Sequence, residues 1–253
     1  MTHRLSALLI THNNEKLFSR CLQSVINLAD EVIVIDNLST DRTAATAARF
    51  GATFISHKEE DLGRQRAFGL KKVHNDWVLM LDPDEVVSTE LKSELRRLLK
   101  KKTIRENGFF IPYQNHFLGR KIRFGGENYK IIRLFRKSKA VVEPSLIHEK
   151  VTVREGEIGQ LNGHLLHFSY RGLRQVFAKF TGYATRLARQ KNAQGERSSL
   201  WKMTAYPIHM FWSRFVSSHG YRDGFFRLPL DAAFAYLEFL TYFLLFFQPK
   251  KKQ

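Results

Sequence analysis

Residues 79–85 read Leu79-Met80-Leu81-Asp82-Pro83-Asp84-Glu85, and this stretch decides how the rest of the chain is read. An apolar, strand-like run ends, and three carboxylates follow within four positions. Like charges held this close repel one another, so a folded chain needs a reason to keep them together. A divalent cation is the commonest reason, because hard cations take oxygen ligands.

Working outward, strand and helix signals alternate over the first hundred residues. Leu5 to Thr11 is a short apolar run of the buried-strand type, and Glu31 to Ile35 is β-branched. Between them, Leu17, Cys21 and Val25 recur at helical spacing in Glu15 to Asn27. Ser39-Thr40-Asp41 supplies N-cap chemistry for a helix from Ala44 to Phe50, and Gly51 is placed to stop it. Ala52 to Ser56 reads as a third strand, Gly63 to His74 as helix, and Trp77 to Leu81 as a fourth strand. Ser88 then opens a charged helix that the pattern carries to about Lys102. Such alternation predicts an α/β fold, a mostly parallel sheet flanked by helices. In these sheets ligands bind outside the carboxyl ends of the strands. Thr11-His12-Asn13, Asp36-Asn37 and Asp82-Pro83-Asp84 each follow a strand end, so they should converge. Residues 103–167 turn to short β-like runs (Gly108 to Tyr113, Lys130 to Phe135, Val151 to Val153) and read as a mixed extension of the same domain.

Charge is unevenly spread. The 253 residues carry 41 Lys/Arg against 24 Asp/Glu, net +17. Residues 1–90 are net −3, while 91–162 and 163–253 are each net +10, so the basic remainder should face something anionic. Nucleic acid is not the expected partner: no recognised binding motif is present, and the acidic cluster would repel phosphates. Cys21 is the single cysteine, which excludes an internal disulfide and fits a reducing compartment. Its apolar neighbours predict a buried thiol. The N-terminal run lacks the pattern of a secretory signal, so cytoplasmic residence is expected.

From Trp201 to Phe247 the composition changes again, with 15 of the chain's 32 aromatics and Arg214, Arg222 and Arg227 among them. The uncharged run Phe239 to Pro249 is 11 residues, against the roughly 20 needed to span a membrane. Extending it back to Leu228 takes in Asp231 and Glu238. An aromatic, basic helix lying in a membrane interface is the preferred reading. A true span, and a helix packed on its own domain or a partner subunit, stay open.

Four elements together resemble the family 2 glycosyltransferases of the GT-A fold: Ile10-Thr11-His12-Asn13-Asn14-Glu15, Val34-Ile35-Asp36-Asn37-Leu38-Ser39-Thr40-Asp41, Gly63-Arg64-Gln65-Arg66 and Leu81-Asp82-Pro83-Asp84-Glu85. They cover the first hundred residues in the family's order and spacing. More narrowly, the chain resembles bacterial lipopolysaccharide core β-1,4-glucosyltransferases that act on an inner-core heptose. The supporting segments are Asn115 to Arg120, Arg133 to Lys137, Ile147 to Lys150 and Leu165 to Arg171. Three departures stand out: Pro83 between the aspartates, Ala67 after Arg66, and Gly125-Gly126-Glu127-Asn128-Tyr129 where the subgroup has Trp and an acidic residue.

The resemblance implies a GT-A catalytic domain over residues 1–170, with a nucleotide-sugar half (1–100) and an acceptor half (101–170). Residues 171–253 form a helical, membrane-associating or oligomerising extension. It implies a UDP-sugar donor, most simply UDP-glucose, and Mg²⁺ or Mn²⁺. Asp84 would bind the metal directly, and Asp82 the ribose or a water on the metal. Asp36, Thr11 and Asn13 would contact the uridine, and Arg66 the nucleotide. Arg133 and Arg136, interleaved with Leu134 and Phe135, are expected to share one strand face and meet phosphates. Glu149 is the expected base of an inverting displacement, with His148 beside it on the diphosphate or metal. Glu85 is left between a place beside the metal and a surface role, and His116, His164 and His167 read as structural. The acceptor would be a lipid-anchored oligosaccharide at the anionic cytoplasmic face of the inner membrane, with the enzyme peripheral there. A different donor sugar, or a polyprenyl-phosphate or protein acceptor, stays open, as does a homo-oligomer. Outside the enzyme class, a nucleic-acid- or membrane-binding protein is the remaining alternative.

Overall fold

Strand β1 (Leu5–Thr11) is buried along its whole length, and its two faces feed different clusters. Leu5, Ala7 and Leu9 pack with Phe18, Cys21 and Leu22 of helix α1 (Glu15–Val25). Leu8 and Ile10 pack with Ile33 and Ile35 of β2 (Glu31–Asp36) and with Leu70. A strand buried on both faces belongs to a parallel sheet covered by helices. The computed structural model that shows this describes residues 2–59, 61–142 and 151–249, so Glu149 and His148 lie outside the described residues.

The chain continues through α2 (Thr43–Arg49), β3 (Thr53–Ser56), α3 (Leu62–Leu70), β4 (Trp77–Leu81), β5 (Glu85–Val87) and α4 (Thr89–Leu98). The Ser88 cap is present: its Oγ accepts from the Leu91 amide at 3.2 Å. Helix α4 stops four residues earlier than the charge pattern implies. Leu95 and Leu98 are its last buried positions, and Lys100, Lys101 and Lys102 are exposed. Without an apolar face to pack, the helix has nothing to extend it.

Strands β6 (Gly108–Phe117), β7 (Arg120–Lys121), β8 (Lys130–Arg136), β9 (Ala140–Val142), β10 (Val151–Val153), β11 (Ile158–Gln160) and β12 (Leu165–Tyr170) follow. The main sheet runs β3-β2-β1-β4-β8-β6-β12-β5, with β7 and β11 attached to β6 and a separate β9–β10 pair. β3, β2, β1 and β4 are parallel, and β8 runs antiparallel to both β4 and β6. The fold is α/β, with a mixed sheet flanked by helices.

Two compact units emerge: Met1–Tyr113 with Tyr129–His167, and Gln114–Asn128 with Phe168–Gln253. The second is built on α5 (Leu173–Ala193), α6 (Leu200–Trp212) and α7 (Leu228–Phe246). Its core gathers Phe117, Ile122, Val176, Phe180, Leu230 and Ala233. Phe225–Phe246 is long and apolar enough to cross a membrane by length and composition, with 33% of that stretch buried.

Asp231, the acid that interrupts this apolar stretch, is fully buried in a network of charges. Arg227, also fully buried, donates from Nε to Asp231 Oδ2 at 2.9 Å and from Nη1 to Asp223 Oδ2 at 3.1 Å. The same guanidinium donates to the carbonyls of Phe124 (2.8 Å) and Gly125 (3.2 Å). Arg214 Nε donates to Asp231 Oδ1 at 3.1 Å, and its Nη2 pairs with Glu127. Gly125 has φ +68°, and a Cβ there would collide with the Arg227 guanidinium. The loop 123–128 is therefore fastened to the helices by buried ion pairs. Removing one partner of such a network leaves an uncompensated charge. Arg227→Met is expected to lower stability by about 3–5 kcal/mol, read from the urea midpoint; a loss under about 1 kcal/mol would contradict this role for the network.

Candidate active site

The parallel strands bring their carboxyl ends together. Thr11 is paired with Asp36 across β1–β2, and Leu9 with Leu81 across β1–β4. Adjacent strands lie about 4.8 Å apart, so Thr11, Asp36 and Asp82 line one edge of the sheet.

Asp82-Pro83-Asp84-Glu85 closes a tight turn, with the Glu85 amide donating to the Asp82 carbonyl at 3.0 Å. Pro83 occupies the second position of that turn, where a fixed φ is pre-organised and a missing N–H costs nothing. The departure in the sequence is thus a local fit to the turn.

Both Asp82 oxygens are engaged. Oδ1 accepts from Arg66 Nη2 at 2.6 Å and Oδ2 from Arg133 Nη2 at 2.6 Å. Arg133 Nη2 also reaches Glu85 Oε1 at 2.6 Å and the Tyr113 hydroxyl at 2.8 Å. The Tyr113 hydroxyl in turn donates to Glu85 Oε1. Arg66, Arg133, Glu85 and Tyr113 are all buried. Burial alone would raise the Asp82 carboxyl, but Arg133 and Arg66 outweigh it and hold it well below the carboxylate range. Glu85 goes the other way. Burial pushes it up to about 7, with Asp82 and Asp84 adding to the rise and Arg133 opposing it. The two carboxylates share one guanidinium, so their protons leave in two coupled steps.

Asp84 points elsewhere. His167 Nε2 lies 3.7 Å from Asp84 Oδ2, and its ring packs against Tyr113 with centroids 4.9 Å apart. Antiparallel pairing of β12 with β5 sets His167 opposite Glu85 and so beside this turn. Among the described residues no group of three or more His, Cys, Asp or Glu converges as a metal set. Asp84 and His167 nonetheless make a two-donor pair. One carboxylate beside one imidazole is a donor set that oxygen ligands from a bound molecule could complete around a divalent cation such as Mn²⁺. Asp82, with both oxygens taken by arginines, fits a metal less well than the sequence implies.

At the other end of the edge, Asp36 Oδ2 accepts from the Ser39 amide at 2.7 Å and Oδ1 from the Ser39 hydroxyl at 2.5 Å. Asn13, with φ +49°, accepts from the Thr40 amide at 2.8 Å, and its own amide donates to Ser39 Oγ at 2.8 Å. The loops after β1 and β2 are pinned to each other, and Asn13 is one of the pins. Among the described residues, Thr11 Oγ1 and Gln65 Nε2 are buried without a hydrogen-bond partner. Buried unpaired polar groups are rare and call for an explanation.

Arg136 is a correction. A separation of three puts it on the strand face opposite Arg133, since faces alternate with period two. It pairs with Trp77, at the amino end of β4. There its guanidinium lies 4.5 Å from the Trp77 ring centroid and 3.4 Å from Asp76. It is remote from the carboxyl-end turn.

Among proteins of known sequence, the model of Glycosyl transferase family 2 matches residues 6–147. The chain belongs to this family. It is 30% identical over 250 residues to an uncharacterized glycosyltransferase of Rickettsia typhi, covering 94% of this chain and 85% of that one. A lipopolysaccharide core biosynthesis glycosyltransferase of Rhizobium meliloti is 27% identical over 246 residues, covering 92% and 89%. Among solved structures, glucosyl-3-phosphoglycerate synthase of Mycobacterium tuberculosis, in complex with Mn²⁺ and UDP-glucose, is 21% identical. It covers 46% of this chain and 44% of that one, with a TM-score of 0.36. A mycobacterial protein reaches a TM-score of 0.48 at 17% identity, covering 74% of each chain.

The Glu85 carboxyl ties stability to pH. Its value in the fold, about 7, lies above the ordinary 4.5, so the fold binds this proton more tightly than the unfolded chain. The associated stabilisation is complete below 4.5 and is lost as pH rises through 7. Asp82 has the opposite sign, and its contribution is lost only as pH falls below the ordinary 3.8. Urea unfolding from pH 5 to 8 is expected to show a declining wild-type stability that Glu85→Gln flattens; parallel curves for the two proteins would exclude it.

Proposed function

We propose that this chain is an inverting, metal-dependent hexosyltransferase that moves glucose from UDP-glucose to an inner-core heptose of lipopolysaccharide or lipooligosaccharide. The observation that carries the reading is the Asp82–Glu85 turn, with two buried guanidiniums on Asp82 and an imidazole at Asp84. The donor follows from the family resemblance. The acceptor is supported by the lipopolysaccharide core relative, which aligns over nearly the whole chain.

In this reading Arg66 and Arg133 present positive charge to the leaving diphosphate. Asp82 orients both, and Glu85 and Tyr113 fix Arg133 further. Such preorganised charge acts without reorganisation during reaction. Asp84 and His167 would hold the divalent cation, which supplies Lewis-acid neutralisation of the diphosphate. Thr11 Oγ1 and Gln65 Nε2 are free to bond the bound nucleotide, with Asp36 beside them. Glu149 accepts the proton of the acceptor hydroxyl as its oxygen attacks the anomeric carbon opposite the diphosphate, with His148 alongside. Residues 1–170 thus carry the chemistry. Residues 171–253 serve membrane association at the cytoplasmic face.

A donor that binds only the folded chain raises its stability by about 2.7 kcal/mol at a hundred times its Kd. UDP-glucose with Mn²⁺ is expected to raise the melting temperature. Asp84→Ala and His167→Ala should each abolish the metal-dependent part of that rise, and Arg133→Ala the whole of it. Transfer of labelled glucose to heptose-terminated core completes the test. Transfer from no member of a UDP-hexose panel would overturn the function, and transfer of another hexose only the donor.

A further inference from the structure

Helix α6 does not bury any of its 13 residues, although its sequence is apolar. Leu200, Trp201, Ile208 and Trp212 are 71%, 72%, 70% and 59% exposed. Trp201, Ala205, Ile208 and Trp212 follow at steps of four, three and four, so they form one stripe along one helix face. The stripe is about 16 Å long at 1.5 Å per residue. A shallow groove of about 370 Å³ lined by Trp201, Thr204, Ala205, Ile208, His209 and Trp212 runs along it. Contiguous exposed apolar surface of this kind marks an interaction site.

The exposed charges of this helical unit indicate the partner. Among the described residues of 171–249, the exposed charged side chains, histidines apart, are Arg171, Arg174, Arg186, Arg189, Arg197 and Arg222. The acids of the same stretch are withdrawn. Glu196 is paired with Lys191 and Lys202, and Asp223 and Asp231 are held by the buried arginines. Glu238 is half-buried. Two copies of this unit would meet with exposed charge of the same sign. An anionic bilayer accepts both features, with tryptophans at the headgroup boundary and arginines against lipid phosphate.

We infer that α6 lies in the plane of an anionic lipid surface, with the Trp201–Ile208–Trp212 stripe inserted at the acyl boundary. This sharpens the membrane association proposed above, but it rests on none of the donor-site geometry. The assignment moves the contact from the most apolar segment, α7, to α6. Helix α7 buries Leu230, Ala233, Tyr242 and Leu245 in its own unit.

The full chain is mixed with vesicles of phosphatidylglycerol and phosphatidylcholine, or of phosphatidylcholine alone, and sedimented. Binding is expected to favour the anionic vesicles at least ~10-fold and to fall at least ~10-fold in the double variant Trp201→Ser, Trp212→Ser. Of the three tryptophans, Trp77 is buried in the sheet core, so a vesicle-induced blue shift of emission reports Trp201 and Trp212. The melting temperature, and its rise with UDP-glucose and Mn²⁺, should be the same in the variant. No vesicle binding, or binding undiminished in the variant, overturns the inference. So does a concentration-dependent dimer that the variant abolishes, which assigns the stripe to a second copy. These lipid measurements need no donor and the donor measurements need no lipid, so either reading can fail alone.

Discussion

The buried guanidinium of Arg133, shared by Asp82 and Glu85, is the interaction around which the first unit is organised. It joins β8 to the turn after β4, and Tyr113 ties β6 to the same point. The sheet makes this geometry available by reversing direction. β8 runs antiparallel to β4, with Leu134 opposite Leu79, so Arg133 lies toward the carboxyl end of β4. A fifth parallel strand would have offered the ends of its own loops there instead. In a low-dielectric interior Arg133 favours the ionised form of both carboxylates, and its own burial depends on them. The cluster is a mutual condition, and Arg66 extends it to α3.

The helical unit uses the same physics for a different purpose. Arg227 and Arg214 neutralise Asp223, Asp231 and Glu127 in its interior. In the first unit the buried arginines converge on the carboxylates of the turn after β4. In the helical unit they are spent on carbonyls and carboxylates of the chain itself. The net charge of +17 therefore has separate destinations, and the exposed lysines and arginines are those available to an outside partner.

Much of the fold was legible because it rests on short-range signals. The two faces of β1, the Ser88 cap and the turn-forming Asp82–Glu85 segment each depend on residues a few positions apart. The family model over residues 6–147 agrees with the four motifs read from the sequence. What was not legible depends on strand pairing. His167 reaches Asp84 only because β12 pairs with β5, and Tyr113 reaches Glu85 across 28 positions. Arg136 was misread because three residues along a strand reverse the face. Asn13 carries its fastening role through the positive φ of a loop, which composition does not reveal. In the tail, apolar content pointed to α7, which buries six residues and exposes Phe239, Phe243 and Phe246, whereas α6 buries none of its residues; hydropathy does not report this difference.

The fastening of Gly125 under Arg227 also bears on how such enzymes can diversify. The segment 114–128 belongs to the helical unit and is held by residues a hundred positions downstream. Truncation or exchange at residue 170 would leave the segment without its partners. The segment and the tail are a single heritable cassette, interrupted in sequence but not in space. Recombination that respects this would move both together, and a change at Gly125 in one lineage would call for a matching change at Arg227.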